Sequence, residues 1–93
     1  MTRALHVDPK DNVAIVFSAV GPGDTVDCGP APVTAAGTVP AGHKLALVPI
    51  PEGGTIVKYG VPIGRASVAI QVGEHVHCHN TIDITEELCR AAG

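Results

Sequence analysis

The chain has 93 residues, 45% of them hydrophobic, which suits one domain with a single core and argues against an extended disordered chain. Its net charge is −3 and its six Lys and Arg are scattered, so no basic face awaits a phosphate backbone and nucleic acid is not an expected partner. Thirteen Val and seven Ile stand against four Leu, one Phe, one Tyr and no Trp, a β-branched balance that favours pleated strands over helices.

In chain order, "NVAIVFSAV" at residues 12–20 predicts a first strand, bounded by the turn formers of "DPKD" and "GPGD". "TVDC" predicts a short second strand. Residues 29–42 hold three Pro and three Gly and read as a long loop with at most a brief extended piece. "HKLALVPI" at 43–50 predicts another strand, stopped by Pro49 and Pro51, and "PEGG" then turns the chain into "TIVKYG". "RASVAIQV" alternates Val68, Ile70 and Val72 with small or polar neighbours and predicts a further strand. In "EHVHCHN" the same alternation sends Val76 and Cys78 to one face and the histidines to the other. The last stretch changes period: Asp83 followed by Glu86 resembles a capping box, predicting a short C-terminal helix over about residues 84–91. No internal repeat stands out. The expected architecture is therefore a single mostly-β domain over 1–93, made of short strands and long loops, with that helix at its end. A β-rich domain this lean in aromatics also leaves edges that another subunit could cover.

The opening "MTRALHVDPKD" contains no apolar run of signal-peptide length, and no segment approaches the roughly 20 apolar residues that cross a bilayer. Cys28, Cys78 and Cys89 are odd in number and form no CxxC pair, so neither a disulfide framework nor a four-thiolate zinc site is expected. These features point to a reducing cytoplasm and away from the membrane.

The most chemical stretch is "GEHVHCHN", with His75, His77 and His79 at alternate positions. Strand residues i and i+2 lie about 6.6 Å apart on one face, so two imidazoles at that spacing can converge on one metal as neutral donors. Three in a row span about 13 Å, too far for a single ion unless the strand bends. A solvated strand face explains the alternation equally well, although Lys, Glu or Thr would serve there as readily as His. Asn80 closes the row with an amide that can orient a ligand or a substrate hydroxyl. Elsewhere, His43 and Lys44 follow a glycine at a strand start, as an anion contact or as a merely exposed pair. Lys58 and Tyr59 precede Gly60, as functional groups or as a solvated and a half-buried side chain. His6 is assigned no role, and Cys28 and Cys89 read as small buried hydrophobes.

Read together and in order, "DNVAIV", "AGHKLAL", "GGTIVKYGVPIGRA" and "GEHVHCHN" resemble the small subunit or N-terminal SAF-type module of the altronate and galactarate dehydratase family, which includes the alpha subunit of (2R)-3-sulfolactate sulfo-lyase. The resemblance covers about residues 11–80. Its most specific parts are Gly42-His43-Lys44, Lys58-Tyr59-Gly60, Ile63-Gly64 and Val76-His77-x-His79-Asn80. His75 and Cys78 depart from the pattern, standing where many relatives carry an aromatic and a hydroxyl residue.

The resemblance implies an SAF-type β-clip fold and β-elimination from a 2-hydroxy acid to a 2-keto acid, with hydroxide leaving from altronate or sulfite from sulfolactate. It implies a divalent metal shared with a large subunit, iron(II) with manganese(II) as the other candidate, held here by His77 and His79. His43, Lys44 and Lys58 are then the expected catalytic residues, and Tyr59 and Asn80 the expected substrate contacts. The expected partners are a large catalytic lyase subunit in a hetero-oligomer, with self-association as a further option, and a sugar acid or sulfolactate as substrate. The isolated chain is expected to be inactive. Two other readings compete: a non-catalytic sugar-acid-binding SAF module, and a histidine-based metal-binding protein.

Overall fold

The computed structural model describes residues 2–6, 8–29 and 31–83; the expected C-terminal helix and Cys89 lie outside them. Nine short strands run in the order β1 (Thr2–Leu5), β2 (Val13–Val16), β3 (Thr25–Asp27), β4 (Pro32–Thr34), β5 (Lys44–Ala46), β6 (Thr55–Lys58), β7 (Val61–Ala66), β8 (His75–Val76) and β9 (Thr81–Asp83). Six form a sheet in the order β4-β3-β1-β2-β5-β8, and three form a second sheet, β6-β7-β9. The pairing of β1 with β3 is parallel and the other ladders are antiparallel. The mostly-β expectation holds throughout the described residues.

Several strands are shorter than their apolar runs. "NVAIVFSAV" pairs only over β2; Phe17, just beyond it, is 61% exposed, and the run ends in a lone bridge from Val20 to Val39. "HKLALVPI" contributes β5 and a bridge from Ile50 to Ile70. "RASVAIQV" is not one strand: β7 ends at Ala66, and of its alternating residues Ile70 is buried while Val68 and Val72 are exposed. Two strands carried no clear signal of their own. β1 acquires its pairing from β2 and β3, and β9 from β7, so neither is specified by its own residues.

The shortening has a common cause, a repeat that the sequence reading missed. Residues 20–26, 39–45, 50–56 and 70–76 share one plan. Each begins on an aliphatic residue, Val20, Val39, Ile50 or Ile70, that makes an isolated bridge. Three residues later comes a glycine with positive φ, Gly23, Gly42, Gly53 or Gly73. Each unit ends six residues after its start on a buried aliphatic, Val26, Leu45, Ile56 or Val76. All four close the same turn, with the N–H of Asp24, His43, Gly54 and Glu74 donating to the carbonyl three residues back. The glycine sits third in that turn, where a type II turn needs positive φ.

The units also pair alike. Gly23 N–H donates to Ala35 and Ala35 N–H to Asp24, as Gly53 does to Ala66 and Ala66 to Gly54. Gly42 N–H donates to Val16 and Val16 N–H to His43, as Gly73 does to Ala46 and Ala46 to Glu74. The β5–β8 ladder thus reproduces the β2–β5 ladder. Only the two aliphatics and one glycine recur in each seven-residue unit, too little to stand out by eye.

Two buried clusters result. Val16, Val26, Val39 and Leu45 centre one; Val13, Ile56, Ile70 and Val76 centre the other. The two ladders through β5 tie them together and bring the segment after Gly42 alongside the segment after Gly73. Histidines lie in both.

Candidate metal centre

His43 ends its turn immediately before β5, and His75 opens β8, the neighbouring strand. Lys44 pairs with Val76 and Leu45 with His75, so His43 continues β5 past one end of the ladder towards the chain that follows Val76. There the strand stops. Asn80 N–H donates to the His77 carbonyl at 3.0 Å, closing a turn that carries His77 back beside His43. Of the histidine row only His75 and His77 join the cluster, in keeping with the roughly 13 Å span that separates all three on a regular strand. Because β8 ends at Val76, Cys78 does not share the face of Val76 and is exposed.

The outcome is a cluster that joins two distant segments. His43 Nδ1 lies 2.9 Å from His75 Nε2, so one ring holds the proton of that hydrogen bond and the other accepts it. The ring centroids of His43 and His77 are 4.5 Å apart, and those of His75 and His77 are 5.3 Å apart and stacked. One nitrogen from each of His43, His75 and His77 lies within 4.8 Å of the other two. Among the described residues this is the group of His, Cys, Asp and Glu side chains able to hold a metal ion. His79 lies outside it, its ring 5.3 Å from that of His75. His77 thus meets His43 and His75, whereas His79 is brought to the rim.

The donor set fits a divalent transition metal. All three candidates are imidazoles, borderline ligands suited to iron, zinc, copper or nickel. Two nitrogens at about 2.1 Å from one ion and at right angles to each other stand about 3 Å apart, close to the spacing of His43 and His75. His77 brings a third nitrogen within 4.8 Å of those two.

Asn80 supports this arrangement. It is buried, its Oδ1 accepts from His77 N–H at 3.0 Å and its Nδ2 donates to the His75 carbonyl at 2.9 Å. Thr81 Oγ1 donates to the His77 carbonyl at 2.8 Å. Asn80 was expected to touch substrate; its amide is instead committed to the backbone of two cluster histidines. These bonds hold the backbone from which the His75 and His77 rings project.

A cavity of about 280 Å³ is bounded by Lys44, Lys58 and Thr81 among the aliphatic Ile56, Ile63 and Ile82; none of the histidines lines it, because Lys44 pairs with Val76 and so takes the face of the ladder opposite His75. The charge of Lys44 is among the smaller influences that lower His75 and His77. Lys58, at the end of β6, stands with its Nζ 5.2 Å from the centroid of the Tyr59 ring. Tyr59 is exposed and does not line that cavity. Thus Lys44 and Lys58 share one space and His43 joins the histidine centre, while Tyr59 faces outward. Cys28 is a buried small hydrophobe as expected, its thiol pushed up first by burial and then by Asp27.

Crowding disfavours protons on the cluster. His75 is held below the ordinary value of 6.5 by burial and then by His43, His79, His77 and Lys44. His77 is lowered too, by desolvation and then by His43, Lys44 and His79. A lowered folded-state pKa means that the unfolded chain takes up protons first as pH falls, so stability drops from the ordinary imidazole range down to the lowered values. In thermal melts of the metal-free protein, Tm should fall as pH is lowered through the ordinary imidazole range, and His75→Asn should flatten that slope.

Fold and site together define a small β module that carries a three-imidazole centre and a cavity bordered by two lysines. Residues 2–83 match the altronate/galactarate dehydratase SAF domain, and the chain belongs to that family. It is 44% identical over 77 residues to altronate dehydratase of Escherichia coli (strain K12), and 37% identical over 81 residues to altronate dehydratase of Bacillus subtilis (strain 168). Those alignments cover 83% and 87% of this chain but 16% of either enzyme, so the chain spans a small part of their length. It is also 52% identical over 42 residues to the (2R)-sulfolactate sulfo-lyase subunit alpha of Chromohalobacter salexigens, across 45% of each chain. Among the described residues no helix is long and apolar enough to cross a membrane.

Proposed function

We propose that this chain is the small SAF subunit of a two-component lyase, and that His43, His75 and His77 hold the divalent metal of its site. The reaction is β-elimination from a 2-hydroxy acid: a base removes the C2 proton, the C3 substituent leaves, and the enol tautomerises to a 2-keto acid. The observation that carries this reading is the meeting of three imidazoles within 4.8 Å of one another, in a chain that also brings Lys44 and Lys58 to one cavity. The match to lyases over 16% of their length supports a larger chain as the source of the remaining machinery.

When bound, the ion, iron(II) or manganese(II), supplies a Lewis acid for the C2 oxygen and for charge that develops on it. The chain's own groups have separate tasks. The ammonium groups of Lys44 and Lys58 take the substrate carboxylate, a point-charge contact that strengthens when water is excluded. His75 and His77 are favoured in the neutral, ligating form by desolvation and then by their neighbours, and Asn80 and Thr81 keep the His77 segment in place. His79, at the rim, is free of that role and stands where a proton could be passed to a leaving group. The base that removes the C2 proton comes from the larger chain.

The test is affinity capture of the tagged protein from its native extract, followed by assay of whatever is captured. A companion of several hundred residues in fixed ratio, and a complex that forms a keto acid from a sugar acid or from sulfolactate, is the expected result. Sulfite release against water release then tells the two substrates apart. A chain that elutes alone at every salt concentration and binds a sugar acid unaided would overturn the subunit reading in favour of a binding module.

A further inference from the structure

The hairpin that delivers Lys58 is built against its own sequence. Lys58 pairs with Val61, which leaves a two-residue loop of Tyr59 and Gly60. Both have positive φ, 57° and 74°, the signature of a type I′ turn. Asn, Asp or Gly normally fills the first position; an aromatic side chain there sets its Cβ against the following carbonyl oxygen. Tyr59 is the described non-glycine residue with positive φ. Something outside the hairpin must hold it.

That support comes from the segment ahead of β2. Asp11 is buried, its Oδ1 accepts the Gly60 N–H at 2.7 Å and its Oδ2 accepts the Asp8 N–H at 3.2 Å. Asp8 closes the loop by accepting the Asp11 N–H at 2.9 Å, and its carboxylate packs against Gly60 so tightly that a side chain there would collide with it. The next residue, Asn12, braces the other side of Lys58. Between Ile56 and Val57 the β6–β7 register slips, and Asn12 occupies the irregularity: its Oδ1 accepts from Val57 N–H and its Nδ2 donates to the Thr55 carbonyl, each at 2.8 Å. A bulge of this kind re-aims the side chains that follow it. Lys58 is therefore clamped one residue before and two residues after, by adjacent residues of a segment more than forty positions away.

We infer that Asp11 is a positioning residue for Lys58: its buried carboxylate holds the Tyr59–Gly60 turn in the left-handed conformation and thereby sets where the Lys58 ammonium stands across the cavity from Lys44. A carboxylate is suited to this because it accepts from two backbone N–H groups at once, and an ionised acceptor makes the stronger bond. An asparagine could serve Gly60 but would turn amide hydrogens towards the Asp8 N–H. The inference rests on the proposed function only for the idea that the cavity takes an anionic acid; the geometry of the turn stands without it.

The test uses the full chain, with tartrate as a 2-hydroxy acid probe, and compares Asp11→Ala, Lys58→Ala and the double variant. Asp11→Ala should speed hydrogen exchange at the Gly60 amide by about tenfold or more and weaken tartrate binding by about tenfold, the loss of one charge-assisted bond. Lys58→Ala should weaken tartrate similarly while leaving Gly60 exchange unchanged, and the double variant should bind no worse than Lys58→Ala. If Asp11→Ala costs its full factor again in the Lys58→Ala background, or leaves Gly60 exchange unaltered, the inference is wrong. If wild type does not bind tartrate, the anion reading of the cavity fails. The position of Lys58 is then read from its side-chain NMR signals, which should lose the ring-current shift from Tyr59 in Asp11→Ala; unchanged signals overturn the inference. Should Asp11→Ala not fold, Asp11→Asn carries the same comparisons, with smaller changes in the same direction.

Discussion

Replacing His43 with alanine should lower the affinity for iron(II) or manganese(II) by about a hundredfold or more, because even the outer partners of a metal-bound histidine are worth about 10–100-fold. His75→Ala and His77→Ala should do the same, since each contributes one nitrogen to a set that fits within 4.8 Å. His79→Ala should change affinity by far less, as its ring only borders His75. Equilibrium dialysis of anaerobic protein measures all four, with circular dichroism to show that each variant is folded. The pattern is diagnostic. A site that tolerates His43→Ala but is lost in His79→Ala would move the centre to His77 and His79, the pair that the family resemblance implies. A chain whose four variants all bind as wild type would remove the metal from this module.

The second large effect is expected at Gly73, two residues before His75. Gly73 is buried with φ of 84°, and a Cβ added there would run into the carbonyl oxygen of Thr34 and stand 2.9 Å from the Ala36 nitrogen. Neither atom can withdraw easily, because Ala36 N–H donates to the Gly73 carbonyl at 2.9 Å and holds the two segments together. Gly42 occupies the same place in its own unit, with φ of 81° and nothing within 4 Å of an added Cβ. The pair makes a controlled comparison. Gly42→Ala should cost about 1–2 kcal/mol for the left-handed backbone alone. Gly73→Ala adds overpacking against backbone and should cost about 2–5 kcal/mol in all. Urea unfolding of both variants measures the difference. Gly73→Ala should also weaken metal binding by shifting His75, whereas equal costs for the two substitutions would mean that the close approach to Thr34 is absent in solution.

Both effects follow from a fold that uses one turn four times. Each unit carries the chain from a bridging aliphatic through a glycine turn into a buried residue of a strand. Because two units end in neighbouring strands, whatever stands after their glycines is brought together. In one unit that is His43 and Lys44, in the other Glu74 and His75. The centre is thus a by-product of how the second half of the chain repeats the first, with Asn80 added to bend His77 into place. Desolvation and neighbouring charges lower His75 and His77, which favours their neutral forms within the cluster.

What the sequence determined by itself was local. The excess of Val and Ile and the spread of Gly and Pro define a mostly-β chain of short strands, and buried Val13, Val16, Leu45, Ile56, Ile70 and Val76 all lie in the apolar runs that were read as strands. The alternate histidines and the ordered motifs were also legible, because residue type and near spacing are written directly in the chain. The tertiary structure decided the rest. His43 and His75 are 32 positions apart, and their hydrogen bond exists only because β5 and β8 pair in one register. A slip of one residue would turn every side chain of β8 to the opposite face and exchange buried Val76 for a histidine, so the alternation opposes the slip, but nothing within "GEHVHCHN" says that β5 is the partner strand. The exposure of Val68 and Val72, the strands β1 and β9, and the attachment of Asp11 to Gly60 are likewise properties of segments that meet from afar. Local patterning says which residues prefer burial and where the chain turns; hydrogen bonds between distant turns decide which of them meet.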